Sequence, residues 1–204
     1  YCDRALGITS AEEQPVLPKG NNLSLHLLEL FTSQVAKVGM TDGIRQVLQE
    51  ESDALRAYYE QAGILIARPA GGTSCRLAIS AKGGTNAENH NHNDVGSYAV
   101  ALGSETMVGD QGGPNSYPGD YFNGDAPQKY KIKGSFGHPV PVVDGRTQSS
   151  GGKAKGVVLQ KEFTNEKDVF SIDYTSAYST PNLDKLIRTF VYDRQGKGNF
   201  TVGD

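Results

Sequence analysis

The chain has 204 residues, enough for one ordinary core and a small second module. A net charge of −3 and a pI near 5.8 argue against a nucleic-acid or anionic-membrane surface, although a local basic cleft can still serve a polyanionic substrate. No apolar run approaches the roughly 20 residues needed to cross a bilayer, and two cysteines, Cys2 and Cys75, are too few for a disulfide scaffold.

Residues 1–20 read as loop. From Asn22, a plausible N-cap, Leu23, Leu27, Leu30 and Phe31 recur at helical spacing, and Gly39 is a reasonable stop. A second helix is predicted from Thr41 or Asp42 to about Gln61, with Ile44, Val47, Leu48, Leu55 and Tyr58 on one stripe and Gly63 as its stop. Tyr58 and Tyr59 then read as one buried and one exposed helix-face residue. Such a helical hairpin is too small to stand alone.

After Gly63 the period drops towards two. Strands are predicted over Ile64–Arg68, Cys75–Ala81, Gly96–Ala101, Thr106–Gly109, Gly156–Phe163, Val169–Tyr174 and Lys185–Asp193, with Gly-rich turns between them. The chain holds 25 glycines and no tryptophan, and many short strands of this kind predict an antiparallel sandwich. The stretch from Gly112 to Lys133 is long, aromatic and rich in Gly, Pro and Asp, and a loop of that length is more often functional than idle. The sequence starts at Tyr1 and ends after an unfinished strand pattern, so it is expected to be a piece of a longer protein.

Chemistry concentrates in Glu88–Tyr98, ENHNHNDVGSY, which holds two of the four histidines. On an extended strand His90 and His92 would face one side together, either sharing a metal or dividing metal binding from catalysis. A tetrahedral zinc site needs three or four nitrogen, sulfur or carboxylate donors. Asp110 follows His92 by 18 residues (110 − 92) and His138 by 46 (138 − 92). Asn89, Asn91, Asn93 and Asp94 could orient the imidazoles, while Asp94-Val95-Gly96 reads as a turn. Lys129, Lys131 and Lys133 alternate, so on a strand they would form one basic stripe.

The segment Asn89–Tyr98 resembles the signature of the heparinase II/III-like polysaccharide lyases, which include oligoalginate lyases. The likeness continues in order through Asp110-Gln111-Gly112, Tyr117, Lys129-Tyr130, Ser135–Pro141 and Asp144-Gly145-Arg146-Thr147-Gln148. Leu186–Val191 is similar to the family's Arg-centred strand, so the resemblance covers about residues 64–204.

The resemblance implies a mainly β protein: an antiparallel β-sandwich over 64–204, preceded at 1–63 by the last helices of an (α/α) toroid. It implies a lyase that cleaves uronic-acid-containing polysaccharide by β-elimination. His90 would face the substrate, and Tyr117 is a candidate catalytic residue. His92, Asp110 and His138 would hold a structural zinc, with no further cofactor. Neither nucleic acid nor membrane is an expected partner; the polysaccharide and the upstream toroid domain are. Such lyases act in the periplasm or outside bacterial cells.

The family's other acid–base and carboxylate-neutralising residues lie in the toroid and have no match here, so the chain alone is expected to be inactive. Two departures stand out: His138 is followed by Pro139 rather than Asn, and Asp120 and Asp125 place acid in the Tyr117–Tyr130 loop. Two competing readings are a non-enzymatic carbohydrate-binding sandwich and a cupin-type metalloenzyme. The latter is disfavoured because no Glu follows His92 until Glu105.

Overall fold

The computed structural model describes residues 54–110, 113–114 and 116–204, and the helices expected between Asn22 and residue 53 lie outside them. Ten strands dominate the described residues: β1 (Arg56–Tyr59), β2 (Ile64–Ala67), β3 (Leu77–Lys82), β4 (Gly84–Asn86), β5 (Tyr98–Leu102), β6 (Glu105–Val108), β7 (Gly151–Phe163), β8 (Lys167–Asp173), β9 (Ile187–Asp193) and β10 (Asn199–Gly203). They form two five-stranded sheets, ordered β1-β2-β3-β5-β6 and β10-β9-β8-β7-β4, with antiparallel pairing throughout. This is the expected mainly β sandwich. Among the described residues no helix is long and apolar enough to cross a membrane.

Alternation of side chains explains the packing. On β2, Leu65 and Ala67 point inward; on β3, Ile79 and Ala81; on β8 and β9, Phe170, Ile172, Phe190 and Tyr192 answer them from the second sheet. Each large side chain buried this completely contributes about 1.5–3 kcal/mol. Phe170, Phe190 and Phe200 stack in a row across the second sheet, with centroid separations of 6.1 and 6.2 Å.

The helix predicted to run to Gln61 is overturned over its last turns. Arg56–Tyr59 is a strand, paired residue for residue with Ile64–Ala67. The i, i+3 spacing of Leu55 and Tyr58 suits a helix, but strand alternation also packs a half-buried Tyr58 edge-on against Phe163 and Phe170 and leaves Tyr59 exposed. Gly63 still punctuates the chain, though as the left-handed residue closing the β1–β2 hairpin rather than as a helix stop. The sandwich therefore begins ahead of Gly63. The short strand β4 was not expected as a separate element, β10 falls on the strand pattern read at the end of the sequence, and β7 starts five residues earlier than its apolar pattern (151 against 156).

Candidate functional site

The segment between β4 and β5 is not the extended strand that the HxH spacing suggested. His90 adopts φ 59°, a left-handed conformation that costs an L-residue about 1–2 kcal/mol. That reversal separates the two imidazoles. The His90 ring lies on Phe122 with centroids 4.4 Å apart, whereas His92 packs against His138 at 5.1 Å.

His92, Asp110 and His138 come together, with one potential ligand atom from each lying within 4.8 Å of the others. His138 reaches this point from the short 3-10 turn Ser135–Gly137. A side chain at Gly137 would stand 2.5 Å from the Ile132 carbonyl oxygen, so only glycine permits the approach. Asp110 lies two residues beyond the end of β6.

A consistent set of donors links the cluster. The Tyr121 hydroxyl lies 3.3 Å from His92 Nε2, His92 Nδ1 lies 3.1 Å from His138 Nε2, and His138 Nδ1 lies 2.8 Å from Asp110 Oδ2. Two neutral imidazoles satisfy all three contacts if Tyr121 donates at one end and Asp110 accepts at the other. Burial, aided by neighbouring His138, holds the His92 pKa below its ordinary value against the pull of Asp94 and Asp110. A neutral imidazole is also the form that ligates metal. Two nitrogens and one carboxylate oxygen fit a borderline divalent cation and leave room for a further ligand. No glutamate joins the cluster among the described residues, and Glu105, the acid nearest the cupin pattern, is exposed on β6.

Tyr121 was not singled out by the sequence, where nothing distinguishes it from neighbouring aromatics in the loop. It is almost fully buried, and Tyr117, Phe122 and Tyr130 crowd around it. Tyr117 itself is 55% exposed, its ring tilted against those of Tyr121 and Phe122 at centroid separations of 5.0 and 5.2 Å.

The asparagines around the histidines act differently from the expected imidazole orienters. Asn91 Nδ2 donates to the His92 carbonyl, and Asn93 Nδ2 donates to the Gln148 carbonyl and to Ser150 Oγ. Asp94 pairs with Lys82. These groups fix the backbone of the loop. Gln148 is the centre of that fixation: its side chain accepts from Asn86 and from the Val95 amide and donates to the Val95 carbonyl. From behind, Arg188 Nη1 donates to the Gly96 and Pro139 carbonyls at 2.9 and 2.7 Å, while Asp204 takes its other two nitrogens.

Beside the cluster lies a cleft of about 650 Å³, lined by His90, Asn123, Phe122 and Lys133 among others. The expected Lys129–Lys131–Lys133 stripe does not form, because Ala126–Lys129 is a short helix (α1) and a turn follows it. Helical and turn geometry send the three side chains apart. Lys129 pairs with Asp120, which also accepts from Tyr130; these contacts hold the Asp120 carboxyl below its ordinary pKa and neutralise one of the two unexpected acids. Lys131 sits over Phe136, and Lys133 alone turns inward.

No family model matches the chain, and no curated protein matches it in sequence. Among solved structures, it is similar to a crystal structure of a mutant of the heparan sulfate lyase HepC from Pedobacter heparinus, with a TM-score of 0.59 and 19% identity. The match covers 86% of this chain but only 26% of that one, so the chain spans about a quarter of the length of the structure it resembles. At that identity the likeness establishes a shared fold, and it agrees with the family resemblance carried by the motifs.

Proposed function

We propose that the chain is the β-sandwich part of a polysaccharide lyase acting on uronic-acid-containing polymers, and that it forms one wall of the substrate cleft. The observation that carries this reading is the divergence of His90 from His92. One imidazole lines an open cleft, and the other is committed to a His–His–Asp cluster. The lyase fold shared with the solved structure supports it.

In this reading His92, Asp110 and His138 hold a zinc ion, which when bound would cross-link the segments around residues 92, 110 and 138 and so stiffen the wall. Removing the C5 proton of a uronate builds negative charge on its carboxylate, so elimination needs donors aimed at that group as well as a base and an acid. In this reading His90 faces the sugar, supported by its place in the cleft against Phe122, and Tyr117, on the same Phe122 ring, is a second candidate. The remaining acid–base groups are assigned to an upstream (α/α) toroid at whose end residues 1–63 would stand, and the chain alone is assigned no turnover. A periplasmic or secreted bacterial location goes with this assignment.

The test is elimination by the parent polypeptide, followed by the ultraviolet absorbance of the unsaturated product. Glucuronate–glucosamine polymers, with and without sulfate, and alginate are the substrates. Turnover of at least one polymer, abolished by His90→Ala, is the expected result. Undiminished turnover in His90→Ala would remove His90 from the chemistry, and no turnover of any of these polymers would remove the uronate reading altogether.

A further inference from the structure

Lys133 is 4% exposed, yet it lines the 650 Å³ cleft. Its ammonium carries three donors, and the one hydrogen bond it makes among the described residues is to the Tyr121 carbonyl oxygen, at 2.7 Å. No carboxylate among the described residues forms an ion pair with it. Lys82, Lys129 and Lys161 each have such a partner, in Asp94, Asp120 and Glu60. Taking a cation out of water without a counter-ion is costly, and burial accordingly lowers the affinity of Lys133 for its proton.

The surroundings indicate what would complete it. Lys133 Nζ lies 5.1 Å from the centroid of the Phe122 ring, and that ring is 47% exposed in the same cleft, with His90 against it. A half-exposed aromatic ring offers apolar surface to the C–H groups of a sugar, and a nearby ammonium with unused donors takes an oxyanion. A purely structural role explains less of this. The pin between this turn and the histidine loop is the Lys133 main-chain carbonyl, which accepts from the Asn93 amide at 2.8 Å and needs no lysine side chain.

We propose that Phe122 and Lys133 form a sugar-oxyanion subsite: the ring carries one pyranose, and the Lys133 ammonium binds a carboxylate or sulfate borne by that residue or its neighbour. The subsite rests on the reading of the chain as part of a uronate-polymer protein. It adds a binding determinant on the sandwich side, separate from the His–His–Asp cluster.

Calorimetric titration of the 204-residue chain at low salt tests it. The probes are an unsulfated glucuronate–glucosamine tetrasaccharide, its sulfated counterpart and a neutral glucose tetrasaccharide. Lys133→Met should weaken binding of the anionic probes roughly 10-fold and leave the neutral one unchanged, while Lys133→Arg keeps most of the affinity. Equal losses on both anionic probes identify the carboxylate as the group bound; a loss confined to the sulfated probe identifies sulfate. Phe122→Ala should weaken all three, and it decides the matter if Lys133→Met fails to fold. Wild-type affinity in Lys133→Met, or in Phe122→Ala should Lys133→Met not fold, overturns the subsite and leaves the lyase reading standing. Failure of the wild-type chain to bind either anionic probe overturns both.

Discussion

Gln148 and Val95 are bonded in both directions: the Gln148 side-chain amide donates to the Val95 carbonyl at 2.6 Å, and its oxygen accepts from the Val95 amide at 3.1 Å. A side chain thereby imitates a β-ladder partner for a loop that has none, and the loop it secures carries both site histidines. Gln148→Ala should cost about 3 kcal/mol, because it strands buried donors and acceptors on Val95 and Asn86. Urea denaturation measures the loss. A change below about 0.5 kcal/mol would show that water replaces the amide without penalty.

The two histidines should separate cleanly in a metal-binding assay on the 204-residue chain. His90→Ala is expected to keep zinc at wild-type stoichiometry and to melt as wild type does. His92→Ala should lose the ion and the stability that comes with it. Elemental analysis after gel filtration reads the first quantity and thermal melting the second; equal zinc loss in both variants would end the proposed division.

Tyr121→Phe keeps the packed ring and removes only the hydroxyl that meets His92 Nε2. Zinc affinity should fall roughly 10-fold, as when an outer partner of a metal-bound imidazole is deleted, with little change in the metal-free melting temperature. Competition with a chromogenic chelator provides the readout. Unchanged affinity would mean that the hydroxyl does not orient the imidazole.

With metal removed by chelator, stability should depend on pH through His92. Its folded pKa lies below the ordinary value, so above about 6.5 both folded and unfolded forms are neutral and the full stability is present. As pH falls from there through the folded pKa, the unfolded chain takes up the proton first and stability is lost. His92→Gln should flatten this part of the melting profile between pH 8 and 5. A profile as steep as that of wild type would place the titration elsewhere.

The sheets were legible because alternate burial leaves a two-residue period, as in Leu65 and Ala67 or Phe190 and Tyr192. Strand β1 was not, since Leu55 and Tyr58 satisfy helix and strand spacing alike and only pairing with β2 decides between them. The grouping of His92, Asp110 and His138 came from an ordered likeness to known motifs; their spacing alone left the number of shared ligands open. The left-handed turn at His90, which parts it from His92, has no local signature in an Asn-rich segment. Lys133 looked equivalent to Lys129 and Lys131 because its burial depends on packing against the Tyr121 and Phe122 rings, a tertiary event.

Arg188 reaches across 92 residues of sequence to Gly96 and 49 to Pro139. Both histidine-bearing segments are thus latched from β9, an element synthesised long after them, which imposes an order of assembly. Before β9 docks, the His92 and His138 segments are joined through Gln148 and the Asn93–Lys133 main-chain bond but lack the Arg188 latch, and closing loops over such separations is slow. Pulsed hydrogen exchange during refolding should find the Asn93 amide protected no earlier than the Phe170–Phe190 ladder, and protection before that ladder would contradict the order. A metal ion arriving early would meet isolated imidazoles; one arriving late would meet a finished socket.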